Sequence, residues 1–217
     1  TKVVARTARR KVENSAGASV INRESPDADD QDGLYDLALA AGSPAEGILF
    51  VVGASNEDNV ASAIPLAGGW RIGVRDNGSA QFGGPQTFEN DDWAFLYAPA
   101  VEGPAPTLPV AASVTGFDAN DDAVTALSWG SFTLVREGLG VYRLTVDGET
   151  PGTGMLLLTA NGEVTLDDPG DVLDDDAAPL NHYLTYEPDG DDFVIMQHAL
   201  GGTNTLTDGA FSFGFVP

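Results

Sequence analysis

The segment Gly33-Leu34-Tyr35-Asp36-Leu37-Ala38-Leu39 returns as Gly140-Val141-Tyr142-Arg143-Leu144-Thr145-Val146, 107 residues later. The same spacing carries Gly47-Ile48-Leu49-Phe50-Val51-Val52 onto Gly154-Met155-Leu156-Leu157-Leu158-Thr159. Further on, Trp70 to Asp76 aligns with Tyr183 to Asp189 at a spacing of 113, and Trp93, Phe95, Tyr97 and Pro99 fall on Phe211, Phe213, Phe215 and Pro217 at 118. Upstream, Asn22-Arg23-Glu24 matches Val135-Arg136-Glu137, which leaves Ser25 to Asp32 as an acidic insertion of the first copy. The spacing grows between elements and stays constant within them, as it does when insertions collect in surface loops. The chain therefore divides into a basic N-terminal arm (1–19), a first repeat (20–99), a linker rich in proline and acid (100–130) and a second repeat (131–217).

Within each repeat the apolar period is two. Trp93-Ala94-Phe95-Leu96-Tyr97 and Phe211-Ser212-Phe213-Gly214-Phe215 put three rings on one face of a strand. Ile48 to Val52 and Met155 to Leu158 are continuous apolar runs, the pattern of strands covered on both faces. Asp76-Asn77-Gly78, Asp147-Gly148, Asn161-Gly162, Asp189-Gly190 and Asp208-Gly209 mark turns. Of the 33 acidic residues 23 are Asp, and together with 26 Gly and 13 Pro they disfavour helix interiors. These patterns predict an all-β chain of two tandem, duplicated β-sandwich modules, jelly-roll or Ig-like, with the basic arm in front. Separate modules and one fused sheet system both satisfy the pattern, because a unit of this size has only a small core of its own.

Composition excludes several functions. The chain of 217 residues has a formal net charge of -23, no cysteine and two histidines. Such a charge repels phosphate backbones and anionic headgroups, so nucleic acid is not an expected partner. No apolar run is long enough for a membrane span, and the start lacks the apolar stretch of a secretory signal, which reads as a soluble or processed chain. The charge is also divided. Residues 1–24 hold Lys2, Arg6, Arg9, Arg10, Lys11 and Arg23 against Glu13 and Glu24, a balance of +4, and the rest carries -27.

The ending aromatic-x-aromatic-x-aromatic-x-Pro, with the opening Gly-x-Tyr-x-Leu, resembles repeats of large secreted or surface proteins of environmental bacteria. The second repeat is also similar to C-terminal β-modules of phage and bacterial fibre proteins. The resemblance implies a structural or adhesive protein, often oligomeric and without catalytic residues.

The residues themselves point the same way. There is no Gly-x-Ser-x-Gly elbow, His-Glu-x-x-His or Gly-x-x-x-x-Gly-Lys loop, and His182 and His198 read as ordinary strand histidines. The expectation is a non-enzymatic extracellular or cell-surface protein. Its partner is then a second copy, reached by an arm of Lys2, Arg6, Arg9, Arg10 and Lys11 that adds as a strand to the acidic body. Asp118, Asn120 and Asp122 have the spacing that opens a calcium loop, although Ala123 and Trp129 stand where an EF-hand needs Gly and Glu. Asp27, Asp29, Asp30 and Asp32, and Asp174, Asp175 and Asp176, are further calcium candidates, against a reading of all these loops as solvated acid. The competing function is a carbohydrate-binding module of a secreted protein, with Trp129 as the ring that would meet a cell-surface glycan and Trp70 and Tyr183 behind it.

Overall fold

The computed structural model of the chain describes residues 4–8, 11–13, 18–22, 33–54, 59–75, 92–100, 108–161, 182–200 and 205–217. Among them all regular structure is strand. The first eight are β1 (Val4–Ala8), β2 (Lys11–Glu13), β3 (Ala18–Asn22), β4 (Leu34–Leu39), β5 (Gly47–Gly53), β6 (Val60–Leu66), β7 (Gly69–Arg75) and β8 (Trp93–Pro99). The second eight are β9 (Val110–Phe117), β10 (Ala123–Trp129), β11 (Phe132–Gly138), β12 (Val141–Val146), β13 (Met155–Ala160), β14 (His182–Asp189), β15 (Asp192–Ala199) and β16 (Phe211–Val216).

They form four antiparallel sheets with orders β2-β1-β8-β5, β3-β4-β7-β6, β10-β9-β16-β13 and β11-β12-β15-β14. Each strand of the first eight has the place of the strand eight positions later. Register agrees to the residue: Leu49 lies opposite Tyr97 and Val51 opposite Phe95, as Leu156 lies opposite Phe215 and Leu158 opposite Phe213. Those pairs carry the spacings of 107 and 118 read in the sequence.

Alternation puts Tyr35, Leu37, Leu49, Val51, Trp70, Ile72, Trp93, Phe95 and Tyr97 into one core, between the β3-β4-β7-β6 and β2-β1-β8-β5 sheets. A second core holds Val110, Ala112, Val114, Tyr142, Leu144, Phe193, Ile195, Phe211, Phe213 and Phe215, between the other two sheets. The opposite faces of the central sheets meet in a third cluster, a seam of Ile48, Phe50 and Ala98 against Leu108 and Ala111, with Leu157 and Val216 packed on it. Strands β5 and β13 thus bury apolar side chains on both faces, which is why their sequences do not alternate.

Three sequence expectations change. First, β7 corresponds to β15, because Ile72 lies opposite Tyr35 and Ile195 opposite Tyr142. The alignment of Trp70 to Asp76 with Tyr183 to Asp189 slides by one strand of a hairpin; β14 and β15 both alternate, and alternation does not distinguish them. Second, the expected linker 100–130 contains β9 and β10, with Val110, Ala112 and Val114 fully or nearly buried. Its prolines precede the strands, and the small residues of β9 give a weak hydrophobic signal. Third, the arm contains β1 and β2. Val4 lies opposite Leu96 on β8, as Ala111 lies opposite Gly214 on β16, so the spacing of 107 reaches back to the first described strand.

Candidate functional site

The described parts of the arm are built into the first half of the chain. β1 pairs with β8 through Val4–Leu96, Ala5–Phe95 and Arg6–Ala94, and β2 folds back on it with Arg6 opposite Glu13 and Ala8 opposite Lys11. Arg6 and Lys11 therefore lie on strands of the central sheet, while Lys2, Arg9 and Arg10 lie outside the described residues. This hairpin is the one cationic segment of the chain, and it completes a sheet of an acidic body.

Beyond residue 24 that body has four cations, Arg71, Arg75, Arg136 and Arg143. Arg71 pairs across strands with Asp36 at 3.0 Å. Arg143 occupies the position equivalent to Asp36 and meets Glu137, Asp189 and Asp192 at 2.5, 2.9 and 3.2 Å, tying the turn of β14 and β15 to β11 and β12. Arg75 is buried. Arg136 reaches Asp208 at 2.6 Å and Asp121 at 3.3 Å. The carboxylates crowd both Arg136 and Arg143 and hold their guanidinium groups more firmly protonated than usual, led by the hydrogen bonds that Arg136 donates to Asp208 and Arg143 donates to Glu137.

Asp208 is the hub of a polar cluster that the sequence reads only as a turn. Its Oδ1 accepts from Gly140 N at 2.7 Å and lies 3.2 Å from the Tyr142 hydroxyl, which lies 3.0 Å from Gln197 Oε1. Burial works to raise the Asp208 pKa, but the Arg136 and Gly140 hydrogen bonds outweigh it and leave the carboxyl below its ordinary range. Burial, then the Asp208 charge, pushes the Tyr142 phenol well above its ordinary value. Gly140 has a φ of 63°, and a Cβ there would come within 2.7 Å of Gln197 O and Thr207 N, so the backbone of 207 passes directly over this turn. Glycine is required on both counts.

The calcium candidates separate. Asp118 Oδ1 accepts from the backbone N–H groups of Asn120 and Asp122 at 2.8 and 3.1 Å, and these bonds lower its pKa. The Asp118-Asn120-Asp122 spacing thus builds the β9–β10 turn, where Asp121 takes a φ of 61°. Among the described residues no group of three or more His, Asp or Glu is placed to hold a metal ion. Asp27, Asp29, Asp30, Asp32, Asp174, Asp175 and Asp176 lie outside them.

Of the rings considered for a glycan, Trp70 is in the first core. Trp129 packs on the seam and donates its indole N–H to Leu108 O at 2.8 Å. Tyr183 stacks on His198 with ring centres 4.9 Å apart, and His198 Nε2 lies 3.2 Å from Thr185 Oγ1. His182, by contrast, approaches Gly209 with its Nδ1, and burial lowers its pKa.

No family model matches the chain, and no curated protein or solved structure matches it. Among the described residues no helix is long and apolar enough to cross a membrane.

Proposed function

We propose that the chain is a non-enzymatic structural or adhesive protein of the cell surface or extracellular space that self-associates. Its body is two tandem β-sandwich modules, of the jelly-roll or Ig-like kind, stacked through their central sheets. The observation that carries the reading is the pairing of β1 with β8. A cationic hairpin completes the edge of a sheet in an acidic molecule, and the same backbone pairing is available to the hairpin of a second copy, with the body's charge drawing it in. Bound calcium between acidic loops would add to such an assembly.

The test is deletion of residues 1–13 from the full chain, followed by light scattering on a sizing column. The expected result is loss of an oligomer that the full chain forms, with the β-sheet circular dichroism kept. A full chain that is monomeric throughout, or an oligomer unchanged by the deletion, would refute the proposal.

The carbohydrate-binding alternative calls for an exposed ring. The placement of Trp129 on the seam gives it less support than strand addition receives.

A further inference from the structure

The seam between the halves is apolar along most of its length, and one place on the β10-β9-β16-β13 side of it is polar. Ser113 and Ser212 lie opposite each other on β9 and β16. Asn161, just past the end of β13, donates from its Nδ2 to Ser212 Oγ at 2.7 Å and to Ser113 Oγ at 3.3 Å. The equivalent positions of the first half carry a different set. There the facing pair is Arg6 and Ala94, and Ala54 stands where Asn161 does, its N–H bonded to Asp92 O as that of Asn161 is bonded to Ala210 O. The trio of two hydroxyls and an amide is therefore particular to the second half, and it sits where that half meets the first.

Both amide protons of Asn161 go to the serines, so each serine oxygen accepts and keeps its own proton to give. Among the described residues neither hydroxyl donates a hydrogen bond, and Ser212 and Asn161 are only 2% and 7% exposed. The trio lines a crevice of about 20 Å³, walled on the first-half side by residues that include Pro44, Ile48, Pro65 and Trp70. Those side chains offer no carboxylate, amide or hydroxyl to meet the serine protons. A water molecule requires about 10–15 Å³ of such space and two to four polar partners. The crevice has the room, and Ser113 Oγ, Ser212 Oγ and Asn161 Oδ1 are the partners.

We infer that this crevice is a binding site for a single ordered water molecule, held by Ser113, Ser212 and Asn161 as part of the joint between the two halves. The volume is that of a water and not of a sugar ring or a carboxylate. The water accepts the protons that the serines would otherwise keep unshared, and an unmade hydrogen bond in so buried a place is costly. It also fills a gap that the rigid prolines of the opposite wall cannot move to close, so the seam keeps its contact without exact complementarity there.

Crystal structures of the full chain and of Ser113→Val, at a resolution that shows ordered solvent, test this. In the wild type a water oxygen is expected within about 3.2 Å of at least two of Ser113 Oγ, Ser212 Oγ and Asn161 Oδ1. In Ser113→Val, where methyl groups take up the space and one partner is gone, that water is expected to be lost while Asn161 stays bonded to Ser212. A wild-type crevice that is dry, that is closed by a side chain, or whose water touches backbone groups alone would overturn the inference. So would a water that keeps its place in Ser113→Val. Should the variant not fold, the wild-type structure decides by itself.

Discussion

Thr159 joins the two halves through a hydrogen bond to the β5 backbone. Its hydroxyl lies 3.0 Å from Val51 N and 3.5 Å from Val51 O, so it occupies the open hydrogen-bonding edge of β5. Tyr186 does the same for β13, its hydroxyl lying 3.4 Å from Leu156 N. Thr159→Val keeps the shape and leaves a buried N–H unpaired, at a cost of about 1–3 kcal/mol; Thr159→Ser should recover most of it, as read from urea midpoints. Arg136 and Tyr142 show how far single residues are legible. The repeated stretch Gly140 to Val146 marks the strand of Tyr142, whose ring lies in the second core. Its hydroxyl partners, Asp208 and Gln197, come from residues 66 and 55 positions away, and no local pattern announces contacts made through the fold.

At the scale of elements, the duplicated strands were readable because their apolar content is high and their spacing constant: β4, β5 and β8 map onto β12, β13 and β16 without a slip. A strand in the arm was expected, but on a second copy, whereas β1 pairs with β8 of its own chain; β2, β9 and β10 were not readable. β9 contributes Ala111 and Ala112, fully buried yet small, and β1 and β2 are interrupted by cations that resemble a solvated tail. The close approach of the central sheets makes its own demand. A Cβ at Gly214 on β16 would lie 2.5 Å from Leu108 Cδ1 and 2.8 Å from Phe50 Cζ. Gly214→Val should therefore push the sheets apart and cost about 1–3 kcal/mol, whereas Gly148→Ala, at a turn with open space around it but a φ of 78°, strains only its own backbone. Parallel thermal melts of the two variants check this, with the larger loss expected for Gly214→Val.

For the molecule as a whole the seam ties the fate of one core to the other. Truncating Phe50, which faces that seam, should cost about 3–5 kcal/mol and still leave a single cooperative melt; two separated transitions in calorimetry would instead mean that the halves unfold independently. The charge of -23, of which -7 falls in residues 1–109 and -16 in residues 110–217, adds a general self-repulsion. Raising sodium chloride from about 0.1 to 1 M shortens the screening length from about 10 to 3 Å, so the melting temperature of fully chelated protein should rise with salt. A melting temperature that is flat or falling would show that the arginine clamps, which salt weakens, outweigh the general repulsion.

The seam also bears on how such a chain could arise. Ile48 is 3% exposed and its counterpart Met155 53%, while Val52 is 60% exposed and its counterpart Thr159 2%. Equivalent positions thus do opposite things, and the two halves meet through different ends of the same surface. Two identical first halves placed in this arrangement would set Val52 where Thr159 now stands, and valine has no oxygen for the Val51 N–H. The contact is available to a fused pair whose copies have diverged and closed to a symmetric pair of identical ones. Once acquired, that divergence makes a return to separate, interchangeable halves costly, a historical ratchet written into one hydroxyl.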